Sequence, residues 1–170
     1  CAIDDNVQNH QLMLLHGAQG KGKSTFIRHL LPPELKDYYR NGMIIPENNN
    51  HLLQLSSCLL INLDEFDTLS PERMQNLKSL ITQDVVNERK VYDIQNYTYI
   101  RRASFIASTN NPHCMPDVKE NRRILFSTLL NIDYHTPVNH EGIYAQAYAL
   151  YRQGFQYWYE NEEITFLNNR

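Results

Sequence analysis

Gly17-Ala18-Gln19-Gly20-Lys21-Gly22-Lys23-Ser24 is the stretch whose reading decides the fold. It fits G-x-x-x-x-G-K-[ST], a pattern with a mechanism. The glycines let the backbone curl so that successive N–H groups face one anion, and the helix that follows adds its positive amino end. Lys23 is then placed to reach the β- and γ-phosphates of a bound triphosphate, and the Ser24 hydroxyl to ligand Mg²⁺. The expected contacts of the loop are Gly17, Gln19, Gly20, Lys21, Gly22, Lys23, Ser24 and Thr25. The flanks agree with this. Leu12 to Leu15 is an apolar run that reads as a buried strand, and Thr25 to Leu31 reads as a helix stopped by Pro32-Pro33.

Three further segments read as strand ends carrying polar groups. Leu59-Leu60-Ile61-Asn62-Leu63 is a hydrophobic strand broken only by Asn62, and it ends in Asp64-Glu65. Ligands of α/β sheets bind beyond the carboxyl ends of strands. Asp64 is therefore expected to hold Mg²⁺ and Glu65 to orient a water for attack on the γ-phosphate. The plainer reading is a strand running into a solvated acidic turn, with Asp67 close by. Phe105-Ile106-Ala107-Ser108-Thr109-Asn110 is the second such strand, with Asn110 as a γ-phosphate sensor or simply a turn residue before Asn111-Pro112. Asn121-Arg122-Arg123 precedes the third. One of the two arginines can act as a finger from a neighbouring subunit, or both can pair with surface carboxylates.

A tyrosine-rich alternation over Val91 to Arg102 reads as a β-hairpin with Gln95-Asn96 near its tip. Arg89, Lys90, Arg101 and Arg102 bracket Tyr92, Tyr97 and Tyr99. Cations that track phosphates and rings that stack on bases suit a single-stranded nucleic acid. Tyrosines filling the edge of a core are the alternative. Elsewhere, Tyr38-Tyr39 suggests a small edge strand and His51 to Ser56 a short helix. Ser70-Pro71-Glu72 opens a helix bearing Met74, Leu77 and Ile81 on one face. Ala103 to Ser108 and Ile124 to Leu130 read as strands. Gly142 to Phe155 reads as an amphipathic helix with Tyr144, Tyr148 and Tyr151 on one stripe. Strands alternating with helices predict an α/β domain with a mainly parallel sheet.

The 170 residues fit one domain, with a core at 10–135 and a helical tail at 139–170. A net charge of −3 argues against a protein that coats nucleic acid, while leaving room for a local basic site. Three scattered cysteines, Cys1, Cys58 and Cys114, suggest neither a disulfide framework nor a zinc knuckle. His113-Cys114 lacks further ligands at metal spacing. No apolar run reaches membrane-spanning length, so no membrane partner is expected and a reducing cytoplasm fits. The start at Cys1 is expected to be that of a fragment of a longer protein.

Taken together, these residues resemble the virulence-associated protein E family of P-loop ATPases. That family is similar to superfamily 3 helicases and occurs in replication proteins of phages, plasmids and pathogenicity islands. The likeness runs in order through Gly17 to Phe26, Leu63-Asp64-Glu65-Phe66, Leu77-Lys78 with Thr82, Arg89-Lys90-Val91-Tyr92, Arg101-Arg102, Thr109-Asn110, Glu120-Asn121-Arg122-Arg123, and the tail Tyr144 to Ala147 with Leu150-Tyr151 and Gly154. Glu120 stands where the family has Gly, and Lys90-Val91 where it has Pro-Pro. The resemblance implies an ASCE/AAA+-like three-layer sandwich with a β-hairpin insertion. It also implies ATP and Mg²⁺ as ligands, single-stranded DNA as partner, and a homo-oligomeric ring with the arginine finger supplied in trans. A nucleotide-gated assembly module with little turnover and a small P-loop kinase are the alternatives. No N-K-x-D guanine motif occurs, which disfavours a GTPase.

Overall fold

The computed structural model describes residues 7–42, 44, 49–64, 66–89, 95–111, 113–114 and 122–169; at 49, 50, 88, 89 and 96 the backbone alone is described. The predicted first strand forms as β1 (Leu12–His16) and is followed by the glycine-rich turn and helix α1 (Lys23–Arg28). A 3₁₀ turn opened by Pro33 leads to the short strand β2 (Tyr39–Asn41). Then come α2 (Asn49–Ser57), β3 (Leu60–Leu63) and α3 (Pro71–Ile81). Ser70 caps α3 as expected, accepting the Arg73 amide at 3.3 Å. The chain continues through β4 (Val85–Arg89), β5 (Asn96–Ile100), β6 (Ser104–Thr109), β7 (Ile124–Thr128), α4 (His140–Arg152) and α5 (Asn161–Asn168).

Five strands make one sheet in the order β2-β3-β6-β1-β7, every neighbouring pair parallel. β6 sits between β1 and β3, so the two strands that lead into the glycine turn and into Asp64 are not neighbours. Register places His16 level with Thr109 on one side and Thr128 on the other. The carboxyl ends of β1, β6 and β7 therefore form one straight edge, and Gly17, Asn110 and Leu129 all leave from it.

Strand alternation sends side chains to the two faces in turn. One face carries Leu12, Leu14, Ile61, Leu63, Phe105, Ala107 and Ile124, packed with Leu55 of α2 and with Leu77, Leu80 and Ile81 of α3. The other carries Leu15 and Ile106 against Ile27 of α1. The second face is thinly covered, because α1 has only six residues, about 9 Å of helix. Met13 on that face stays 42% exposed. β7 is an edge strand, and α5 finishes it. The Asn168 amide donates to the Ile124 carbonyl at 2.8 Å and accepts the Phe126 N–H at 2.9 Å, taking the place of one residue of a missing neighbour.

Two expectations shift. The hairpin pairs Val85 with Ile100 through Arg89 with Asn96, so its first strand precedes Val91, while Gln95-Asn96 stays near the tip as expected. The reason is packing: Val86 is buried in the main core and fixes the register of the first strand. The tail helix begins at His140, capped by Asn139, and buries none of its residues. Tyr144 and Tyr148 are 42% and 50% exposed, so the tyrosine stripe is not seated on the sheet.

Candidate functional site

The glycine turn continues the sheet before it leaves it. Gly17 N–H donates to the Thr109 carbonyl at 3.2 Å, and Leu129 N–H to the His16 carbonyl at 2.8 Å. Gly20 and Gly22 then take φ values of 76° and 80°, in the left-handed region that side chains with a Cβ rarely adopt. Gly22 caps α1 without any side-chain bond, so the first amides of that helix have no side-chain acceptor. The result is a cleft of about 370 Å³, floored by Gln19 to Thr25 and walled by Ser108, Asn110 and Tyr134.

Lys23 stands at the centre of this cleft, only 7% exposed. Its ammonium donates to the Gly17 carbonyl at 2.6 Å, the Ala18 carbonyl at 2.9 Å and Asn110 Oδ1 at 2.6 Å. All three partners are neutral, and the charge on nitrogen is balanced only at a distance. Burial accordingly pulls the Lys23 pKa below its ordinary 10.5, and the charge of Asp67 opposes that shift. Asp67 lies on the 3₁₀ turn Phe66–Thr68, which β3 delivers across the end of β6. It accepts the Thr109 hydroxyl and, at 3.3 Å, the Asn110 amide. Sequence reading noted Asp67 without giving it a role. Its signal is a third acid three residues after Asp64, enough to carry it from the end of one strand to the end of the next.

Asp64 is turned elsewhere. Its two carboxylate oxygens accept from the Asn41 amide and, at 2.8 Å, from the Asn62 amide, and Asn62 also donates to Asn41 at 2.6 Å. Asn62 is fully buried, which explains the single polar break in an otherwise apolar strand. Asn41 carried no signal of its own. Asp64 is not among the residues lining the cleft, whereas Ser24 is. Glu65, the expected water-orienting acid, lies outside the described residues.

Arg122 is exposed and Arg123 half-buried, and the Arg123 carbonyl accepts the Leu12 N–H at 2.8 Å. Both arginines therefore stand at the amino end of β7. The cleft is at the other end of the same sheet, about 16 Å along a five-residue strand. That is beyond the reach of an arginine side chain toward its own cleft.

The structure reassigns Arg101. It is 1% exposed, and its guanidinium donates to the carbonyls of Gln83 at 2.5 Å, Ala103 at 2.5 Å, Asn9 at 2.9 Å and Ile81 at 3.2 Å, with the Phe105 ring 5.8 Å away. A cation so enclosed is closed off from a nucleic-acid phosphate; it ties the hairpin base to the core instead. Burial lowers its pKa to about 10, still charged at neutral pH. Arg102 is half-buried, and its N–H donates to the Leu55 carbonyl at 2.8 Å. Tyr97 and Tyr99 lie 6.4 Å apart, half-buried, and Tyr99 pairs with Val86 on the hairpin face that meets the core. The backbone of Arg89 opposes Asn96. Lys90 and Tyr92 fall outside the described residues.

A parallel α/β sheet whose inner strand β1 runs into a glycine turn, with a buried lysine bridging to the end of the neighbouring strand, defines a domain with its polar site at the carboxyl edge. The chain belongs to the virulence-associated protein E-like domain family, whose model matches residues 2–170. No curated protein matches it significantly. Among solved structures, two A-form apo structures of the NrS-1 C-terminal region match with TM-score 0.54 at 15% identity, covering 96% and 93% of this chain and 34% and 39% of theirs. A further apo structure of that region, residues 305–718, matches with TM-score 0.53 at 15% identity over 93% of this chain and 40% of the other. The likeness is one of fold, and this chain spans well under half of those structures. Among the described residues, no helix is long and apolar enough to cross a membrane.

Proposed function

We propose that this domain is a P-loop ATPase of the ASCE/AAA+-like type, the motor or switch of a replication protein, acting on single-stranded DNA from an oligomeric ring. The observation that carries the reading is the 2.6 Å bond from Lys23 to Asn110. It joins the lysine of the glycine turn to the first side chain beyond β6 at one point of the carboxyl edge. The strand order supports the same class, since β6 is inserted between the strands leading to Gly17 and to Asp64.

A triphosphate entering the cleft offers Lys23 anionic oxygens in place of two carbonyls and an amide. The ammonium then faces full negative charges instead of neutral dipoles, so the exchange favours the ligand. Asn110, released from Lys23, is then free to bond the γ-phosphate or the attacking water. Its position is fixed from behind by Asp67. Glu65 is the proposed water-orienting base. Ser24 and Asp64 are hard oxygen donors of the kind Mg²⁺ takes. Asp64 fits that duty by the chemistry of its side chain, and among the described residues its two carboxylate oxygens are held by the amides of Asn41 and Asn62. Among the described residues no group of three His, Cys, Asp or Glu gathers, and Ser24 and Asp64 are the residues that would hold the ion. When present it would spread the charge of the transferring phosphoryl group.

Arg122 or Arg123 then acts on a neighbour's nucleotide. An in-trans arginine is worth about 10³–10⁵ in rate, so the lone protomer turns over slowly. That placement also favours a second reading, a nucleotide-gated assembly module. Steady-state phosphate release against protein concentration, with and without single-stranded DNA, separates the two. The motor reading expects a rate that rises faster than linearly and responds to DNA. A linear, DNA-indifferent rate would leave the gated module. Glu65→Gln is expected to bind ATP and to lose at least about 99% of turnover, on the scale of removing a general base. Normal hydrolysis by that variant would remove Glu65 from the mechanism.

A further inference from the structure

One wall of the cleft is an aromatic ring that the phosphate chemistry does not use. Tyr134 is packed so closely on the glycine turn that a Cβ placed on Gly22 would lie 2.0 Å from its Cδ1 and 2.4 Å from its Cε1. The ring is half-buried, and its hydroxyl makes no hydrogen bond among the described residues. His135 packs against it with ring centroids 4.2 Å apart and planes tilted by 37°.

The segment holding these rings is braced at both ends. The Leu129 carbonyl lies 3.1 Å from where a Gly17 Cβ would sit. Asp133 accepts the amides of His135 and Thr136 at 3.1 Å each and the Thr136 hydroxyl at 2.6 Å. Beyond it, the His140 ring meets the His29 carbonyl at 2.7 Å, and the Tyr144 hydroxyl donates to the Leu30 carbonyl at 3.2 Å. The strap thus runs from the start of the glycine turn to the end of α1 and fixes Tyr134 relative to the cradle before any ligand arrives.

We propose that Tyr134, backed by His135, is the stacking platform for the base of the bound nucleotide, and that the site takes purine nucleoside triphosphates without reading the base edge. The inference rests on the triphosphate reading of the same cleft. The argument for the ligand class is chemical. An aromatic ring lines the cleft, and stacking on an aromatic face tolerates any purine. Neither Tyr134 nor His135 presents the paired donor and acceptor that would discriminate adenine from guanine.

Calorimetric titration of the 170-residue chain with ATP, GTP and inorganic tripolyphosphate tests it, using wild type, Tyr134→Ala, Tyr134→Phe and Lys23→Ala. Wild type is expected to bind ATP and GTP within about threefold of each other. Tyr134→Ala should weaken both by about tenfold, the scale of one lost stacking contact, with tripolyphosphate unchanged; that last titration also certifies the fold. Tyr134→Phe should restore both nucleotides toward wild type. Equal loss for tripolyphosphate and nucleotides would mean that the ring merely shapes the turn through Gly22, and the proposal would fail. It would also fail if Tyr134→Ala bound ATP normally, or if wild type preferred one purine by more than about tenfold. Lys23→Ala binding all three ligands like wild type would instead overturn the triphosphate site itself, and the stacking role with it.

Discussion

Lys23 and Arg101 are both buried cations held by main-chain carbonyls, and they serve opposite ends. Arg101 meets four carbonyls from three separate segments of chain and is closed off from solvent. Lys23 meets two carbonyls of its own turn and one side-chain amide at the wall of an open cleft. The first arrangement has no vacancy for a ligand, because the guanidinium is shut away from solvent and the carbonyls of Ile81 and Ala103 are bonded to it inside the core. The second is provisional. One of its acceptors, Asn110, lines the cleft, and the lysine can exchange that bond for one to bound phosphate.

The largest effect expected from breaking this contrast is at Arg101. Arg101→Leu leaves four acceptors unsatisfied and should destabilise the chain by about 3 kcal/mol or more, seen in urea or thermal unfolding. An unchanged midpoint would mean that the four bonds are incidental. Lys23→Ala should lose nucleotide binding yet melt no lower than wild type, since burial already disfavours its charge. A melt as depressed as that of Arg101→Leu would erase the distinction between the two cations. A smaller, sharpening change is Asp67→Asn. It removes the one opposing charge named at Lys23 and one anchor of Asn110, so turnover should fall more than ATP affinity does. Equal losses in both would confine Asp67 to ground-state binding. The subtlest effect is in pH. The Lys23 pKa is lowered in the folded chain, so the lysine loses its proton before an ordinary lysine would as pH rises. Affinity for tripolyphosphate should therefore decline on the alkaline side at a pH below 10.5, and titrations across that range check it. For stability the sign is opposite. Charged Lys23 is a cost below its folded value, and that cost fades as pH climbs from there to 10.5.

The same contrast explains what was legible in the sequence. The glycine turn, β1, β3, β6 and β7 were readable because their signals are local: a motif at fixed spacing, and apolar runs bounded by polar ends. Lys23 and Asn110 could each be named as phosphate-facing groups because both belong to such segments. Arg101 could not be placed, since its partners are the carbonyls of Asn9, Ile81, Gln83 and Ala103, and every residue has a carbonyl. Charge beside tyrosine suggested a binding surface, and three-dimensional packing made it a strut. The hairpin shifted for a similar reason. Val86, buried in a core formed by distant strands, fixes its first strand more firmly than the tyrosine alternation does. Asn41 was silent because one asparagine in a short edge strand looks like any other. Where sequence gave only Asn62 as an oddity inside β3, the structure supplies its purpose, which is to grip Asp64.

The amide of Asn168 has a practical bearing on how this domain can be handled. Because a single side chain near residue 170 closes the outer margin of the sheet, trimming the tail before that position would bare the outward-facing main-chain groups at Ile124 and Phe126. A shortened version would offer a ready template for strand addition by a second copy, and should self-associate as its concentration rises.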